Sequence, residues 1–207
     1  LSTGYVNPKR FLENMRREIG LTYRNYLENN KISLIEYDET NNSYSELHPV
    51  EAVDPLFLRE DCRWYSVTEN DLVAQRFKGT EFKMKGKDGK EYPVKIKYSV
   101  LPPGFAREKV TNSVINGRNI IMNRNKGALT LTRAGRQMSV VQNLQFPKKD
   151  LNFALQNNDR NWIVEVDFHP GLDEQFHVPS NKQSASPGVE AWLEFEKHKM
   201  AVVIREM

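Results

Sequence analysis

The chain has 207 residues, 39% of them hydrophobic and 28% charged, with a formal net charge of +3. This balance excludes a disordered or collagen-like chain, and no run approaches the roughly 18 apolar residues of a membrane span. Cys62 is the single cysteine, which excludes an intramolecular disulfide and a cysteine-built zinc cluster and fits a reducing compartment. The charge is unevenly placed. From Gln75 to Arg136 there are 15 Lys and Arg against 4 Asp and Glu, a local net of +11, while the remainder carries −8. Such a segment suits phosphates or a polyanion, or else forms a solvated strand face that keeps sheet edges apart.

Asn7 followed by Pro8 predicts a helix start, a side-chain cap with Pro at the first helical position. Phe11, Met15, Ile19, Tyr23, Tyr26 and Leu27 recur on one face as far as about Asn29. Gly20 weakens the middle of that helix by about 1 kcal/mol. Ile32–Tyr37 reads as a short strand, with Tyr44–Leu47 able to pair back across the turn 38–43. Pro49–Leu58 reads as irregular. Thr80–Lys85 and Glu91–Ser99 alternate around Asp88-Gly89, the strongest hairpin signal in the chain. Arg118–Arg124 and Ala128–Arg133 are two further strand candidates joined by Asn125-Lys126-Gly127. In Trp162–Phe168 the even-numbered Trp162, Val164, Val166 and Phe168 oppose Glu165 and Asp167. Ser186-Pro187 starts a last helix with a buried stripe of Val189, Trp192, Leu193, Met200 and Val203. The class is α+β, a mostly antiparallel sheet with flanking helices. Residues 1–70 form an amino-terminal helix, strand and connector, and 71–207 the main core, possible as one continuous domain.

Much familiar chemistry is missing. There is no GxxxxGK[ST] loop, no GxGxxG fingerprint, no HExxH and no GxSxG. His48, His169, His177 and His198 have no metal-ligand spacing, and Asp173-Glu174 are adjacent rather than facing. Two clusters stand out. Asn181-Lys182-Gln183 follows a clean strand and precedes the last helix. It either aims a lysine at a phosphate or is a polar surface turn. Arg133-Ala134-Gly135-Arg136 supplies two arginines around a glycine that allows a tight bend. They clamp a phosphate or carboxylate, or pair with Asp167 or Glu165 across the sheet.

Three stretches together resemble the transducer-type second domain of the gyrase, chaperone, histidine-kinase and MutL (GHKL) ATPases, closest to MORC-like and uncharacterised bacterial members. They are Thr130–Arg136, Asp159–Phe168, and Leu172–Val178 leading into Asn181-Lys182-Gln183. Tyr23-Arg24, Ile32 and Asp54–Phe57 also fit, so the resemblance covers about four fifths of the chain. It implies a ribosomal-protein-S5-domain-2-like transducer fold with a βαβ crossover. It further implies an ATP-sensing function in which Lys182 contacts the γ-phosphate, with Gln183 and Asn181 beside it. Arg133 and Arg136 would support an interdomain interface. ATP and Mg²⁺ would belong to a longer parent whose amino-terminal domain holds the nucleotide; that domain's DxGxG loop is not in this sequence. The chain would then be a carboxyl-side piece, inactive alone, of a cytoplasmic hydrolase (nuclear in a eukaryote), with a homodimer possible and no membrane partner. A stand-alone DNA-binding α+β module, suggested by the basic segment, and a structural or partner-binding adaptor are the competing readings.

Overall fold

The computed structural model describes residues 7–63, 73–102, 105, 113–147 and 161–207. Its first element is α1 (Pro8–Thr22), which begins as the sequence predicts: the Asn7 side chain accepts a hydrogen bond from the Arg10 amide at 3.2 Å. The helix ends at Thr22 rather than near Asn29, and the face it buries is not the predicted one. Phe11, Met15, Tyr23 and Tyr26 are exposed, whereas Arg17, Gly20, Leu21 and Arg24 are buried. Gly20 explains the inversion. Its carbonyl accepts from the Val53 amide at 3.2 Å, and a Cβ there would run into the Glu51 carbonyl oxygen. Backbone thus packs directly against backbone, which only glycine permits.

Residues 33–49 form a projecting two-stranded arm. In it β1 (Ser33–Leu34) pairs with β4 (His48–Pro49), and β2 (Tyr37–Asp38) pairs with β3 (Ser43–Tyr44). The single strand expected over Ile32–Tyr37 is therefore two short pieces, and Tyr44 does pair back as expected.

The main sheet has five strands in the order β5-β6-β9-β7-β8. These are β5 (Gln75–Lys85), β6 (Glu91–Val100), β7 (Leu129–Arg133), β8 (Arg136–Val141) and β9 (Trp162–Phe168). The β5–β6 hairpin and β9 stand where the sequence places them. Gly89 at φ +79° supplies the left-handed turn residue that the hairpin requires. All pairings are antiparallel except β7 with β9.

The segment read as a strand at Arg118–Arg124 is instead α2 (Ser113–Asn125). Arg118, Ile121, Met122 and Asn125 are buried at helical spacing. The Asn125 side chain closes the end, donating to the Ile121 carbonyl (2.7 Å) and accepting from the Thr130 hydroxyl (2.9 Å). The expected βαβ crossover is not built from the described elements. Helix α2 joins β6 to β7, but these run antiparallel with β9 between them, and the parallel pair β7/β9 is joined through β8 and residues 142–161. Of that link, 148–160 lie outside the described residues, as do Pro103-Gly104 of the expected hairpin closure and Asp159-Arg160 of the second resembling stretch.

Alternation gives the sheet two covered faces. Val94, Ile96 and Tyr98 of β6 and Val164, Val166 and Phe168 of β9 face α3 (Val189–Lys197) and α4 (Met200–Glu206). Trp192, Phe195, Met200 and Ile204 pack there. The last helix is thus two: Lys199 at φ 60° breaks it, and Val189 and Leu193 of the expected stripe are exposed. On the opposite face Ile163 packs with Leu21, Leu56, Phe57, Ile121 and Met122. Among the described residues, no helix is long and apolar enough to cross a membrane.

Substituting Gly20→Ala would raise helix propensity by about 1 kcal/mol. The expected outcome is nevertheless a net loss of about 1–3 kcal/mol, because the methyl must displace the 51–53 backbone. Urea unfolding of the variant against the wild type measures this.

Candidate functional site

The Arg133–Arg136 segment is the two-residue turn of the β7–β8 hairpin, with Arg133 paired to Arg136. Ala134 (φ 49°) and Gly135 (φ 82°) both have left-handed backbone, as this class of hairpin turn requires. Gly135 adopts it freely. Ala134 is strained by roughly 1 kcal/mol and is held by its surroundings. Its amide donates to the Phe168 carbonyl (3.0 Å) and its carbonyl accepts from the Tyr26 hydroxyl (2.9 Å). The Asp167 carboxylate accepts from the Gly135 amide (2.9 Å) and the Thr132 hydroxyl (2.8 Å). The Asn25 amide donates to the Gly135 carbonyl (2.9 Å). The turn is thereby docked on the residues that follow α1.

The two arginines of this turn part company. Arg133 makes a bidentate pair with Asp173, at 2.6 and 2.8 Å. It pairs with neither Asp167 nor Glu165, the partners weighed from sequence. Arg136 instead lies 5.7 Å from the Tyr23 ring centre, its Nε buried without a hydrogen-bond partner among the described residues.

Asp173 stands at the base of the loop that carries Asn181-Lys182-Gln183. The loop leaves β9 through a 3-10 turn, Pro170–Leu172, whose start is capped by the His169 ring accepting from the Gly171 amide. Leu172 and Phe176 anchor it in the core, Phe176 stacking on Phe168 at 4.0 Å. The returning limb is fastened as well. The Ser186 and Gly188 amides donate to the Phe176 and Gln175 carbonyls (2.9 and 2.8 Å), and the Ala185 amide donates to the Ser139 hydroxyl (2.9 Å).

Between these clamps the three predicted residues are all exposed. Asn181 and Gln183 turn to each other: the Gln183 amide donates to Asn181 Oδ1 at 3.2 Å, and the side chains touch at 3.5 Å. Lys182 closes a tight turn through its amide to the Pro179 carbonyl (2.8 Å) and has a left-handed backbone, φ 52°. Its ammonium has no ion-pair partner among the described residues. The arrangement is a free point charge with three donors on a clamped loop. An open groove of about 730 Å³ lies between β8 and the returning limb, lined by Ser139, Gln142, His177, Ser186 and Trp192 among others, and Asn181, Lys182 and Gln183 do not line it. No group of three or more His, Cys, Asp or Glu side chains among the described residues is placed to hold a metal.

Sequence reading missed a second polar centre beneath the same sheet. Glu165 on β9 is 2% exposed and accepts from Arg24, itself 1% exposed. Lys97 reaches the other carboxylate oxygen at 2.9 Å. Arg24 also donates to the Leu21 carbonyl (2.7 Å) and to Gln137 of β8 (2.8 Å). Asp54 completes the group, accepting from the amides of Leu56, Leu58 and Arg59 at 2.9–3.1 Å. A cavity of about 110 Å³ lies between these residues, Arg59 and Arg76. Burial raises the carboxyl of Asp54, with the Glu165 charge adding to it. Burial pushes Glu165 upward too, but Arg24 and Lys97 outweigh it and hold Glu165 below the usual carboxylate range. The signal was Glu165 flanked on both sides by apolar residues, Trp162–Val164 and Val166, at the centre of the strand. The nearby Cys62 thiol is pushed up to about 12 by burial, so it is inert as a nucleophile near neutrality.

Removing one partner of the buried pair leaves the other charge stranded. Arg24→Met and Glu165→Leu are each expected to cost about 3–5 kcal/mol, and the double variant much less than their sum. A double-mutant cycle by urea unfolding measures the coupling. Because folding depresses Glu165, its contribution is present above about pH 4.3 and is lost as pH falls through the lower folded value. Asp54 acts in the opposite sense: its raised value favours the fold below the ordinary carboxylate range and is lost as pH rises through it. Glu165→Gln is expected to remove the part of the acid-side loss that Glu165 contributes to a stability–pH profile.

No family model, curated protein or solved structure matches the chain.

Proposed function

We propose that this chain is the transducer-type portion of a split-site ATPase, presenting Lys182 to the terminal phosphate of ATP bound by a separate domain. The observation that carries the reading is Lys182 itself, an exposed ammonium with no ion-pair partner among the described residues, on left-handed backbone in a loop clamped at both ends. Asn181-Lys182-Gln183 is also the segment that the family resemblance matches to a lysine on the γ-phosphate.

Lys182 would stabilise negative charge that grows on the phosphoryl oxygens during transfer, and would distinguish ATP from ADP by the charge it meets. Arg133 acts through Asp173 as a positioning residue, keeping the outgoing limb of the loop against the β7–β8 turn. Ser139 does the same for the returning limb. Asn181 and Gln183 stiffen the crest and offer amide groups to a neighbouring oxygen or water. Nucleotide and Mg²⁺ would be held by the other domain. Contact with Lys182 would draw the two domains together, and loss of the terminal phosphate would release them.

In a polypeptide that joins this chain to an ATP-binding domain, Lys182→Ala is expected to lower ATP turnover by about 100-fold or more, roughly 2.7 kcal/mol of transition-state stabilisation. Arg133→Ala is expected to lower it by roughly 10-fold through misplacement of the loop. The 207-residue chain alone is expected to be inert. Steady-state phosphate release measures all three, and unchanged turnover in Lys182→Ala refutes the reading.

A further inference from the structure

The arm over residues 33–49 combines acidic and exposed apolar side chains. It contains four acidic residues, Glu36, Asp38, Glu39 and Glu46, and no Lys or Arg. Its large apolar side chains are left outside: Ile35 is 53% exposed, Tyr37 51%, Tyr44 75% and Leu47 63%. The arm is nonetheless ordered by hydrogen bonds along its length. The Val50 amide donates to the Ile32 carbonyl (2.8 Å), the Ser45 amide to the Glu36 carbonyl (2.8 Å), and the Tyr37 hydroxyl to Asn42 (2.6 Å). The Tyr37 and Tyr44 rings lie 5.1 Å apart. A two-stranded hairpin with an uncovered apolar face is marginal by itself, and exposed clusters of this kind mark contact surfaces.

A surface of matching charge lies elsewhere on the same chain. Strand β5 is an edge of the main sheet. Arg76, Lys78, Lys83 and Lys85 along it are exposed and have no ion-pair partner among the described residues. In contrast, Lys95 is engaged by Glu81 and Lys97 by Glu165. Edge lysines normally hold sheet edges apart by repulsion. An acidic, apolar-faced arm cancels that repulsion and covers the edge. The carboxylates of Glu36, Glu39 and Glu46 are likewise unpaired among the described residues, so arm and edge do not satisfy one another within one copy.

We propose that the arm of one copy docks on the β5 edge of a second copy, and that reciprocal exchange of two arms gives a closed twofold dimer. Sedimentation velocity of the chain at low salt is expected to show a dimer. It should dissociate in about 1 M salt, where the screening length falls to about 3 Å. Lys83→Glu/Lys85→Glu and Glu36→Lys/Glu39→Lys are each expected to weaken self-association by about 10-fold or more, and mixing the two variants to restore a heterodimer. Tyr44→Ser/Leu47→Ser is expected to weaken it without changing its salt dependence. All substituted side chains are exposed, and circular dichroism checks that each variant is folded. A monomer at low salt overturns the proposal, as does a dimer indifferent to both charge reversals. So does a monomer that uses these same residues only to bind duplex DNA or an added oligolysine.

Discussion

Glu165 sits at the middle of a strand buried on both faces, and an ionised carboxylate there is tolerated only when a cation reaches it with good geometry. Arg24 is that cation. It stands just beyond the end of α1, more than a hundred residues away in sequence, so satisfying Glu165 determines where the amino-terminal segment must lie. The consequences spread from this contact. Arg24 also holds Gln137 on β8, and its neighbours Asn25 and Tyr26 hold the Ala134-Gly135 turn. Asp54, on the segment packed against Gly20, closes the far side of the same polar centre.

That dependence links the polar centre to the exposed loop. The turn fastened by Asn25 and Tyr26 begins with Arg133, whose guanidinium secures Asp173 at the foot of the loop bearing Lys182. A buried ion pair, a strained hairpin turn, a bidentate pair and an exposed lysine thus form one physical series. Three left-handed non-glycine residues, Ala134, His177 and Lys182, lie along it. Each costs about 1 kcal/mol in isolation, and each persists because hydrogen bonds on both sides over-determine the backbone. Rigid placement of this kind is what a charge-contacting lysine needs, since its effect falls as its position becomes uncertain.

Legibility varied with how local the deciding forces were. The β5–β6 hairpin, β9 and the Asn7-Pro8 helix start were readable because period-two alternation, an Asp-Gly turn and a side-chain cap act within a few residues. Helix α2 was misread because Ile120-Ile121 and the surrounding asparagines favour strands and turns. The 118-121-122-125 spacing that buries its inner face carries a polar residue at each end, so it did not register as an apolar stripe. In α1 the apolar face was readable, but its burial was not. Backbone contact at Gly20 and the demand of Glu165 for Arg24 turned the helix so that Phe11 and Met15 face outward. The Arg133 and Lys182 segments stood out from sequence, whereas the partner of Arg133 and the whole Arg24–Asp54–Glu165 group did not.

Residue pattern alone therefore decides the α+β class, the principal hairpin, the alternation of β9 and the polar character of the Asn181–Gln183 crest, because each rests on neighbours along the chain. Folding in three dimensions decides which cation answers Glu165, which way α1 faces, and that Asp173 rather than Asp167 receives Arg133. It also decides that Lys182 and the β5 cations Arg76, Lys78, Lys83 and Lys85 find no ion-pair partner among the described residues. These outcomes depend on which distant groups must share a desolvated space, and the cost of leaving a charge unmatched there exceeds any local preference of the backbone.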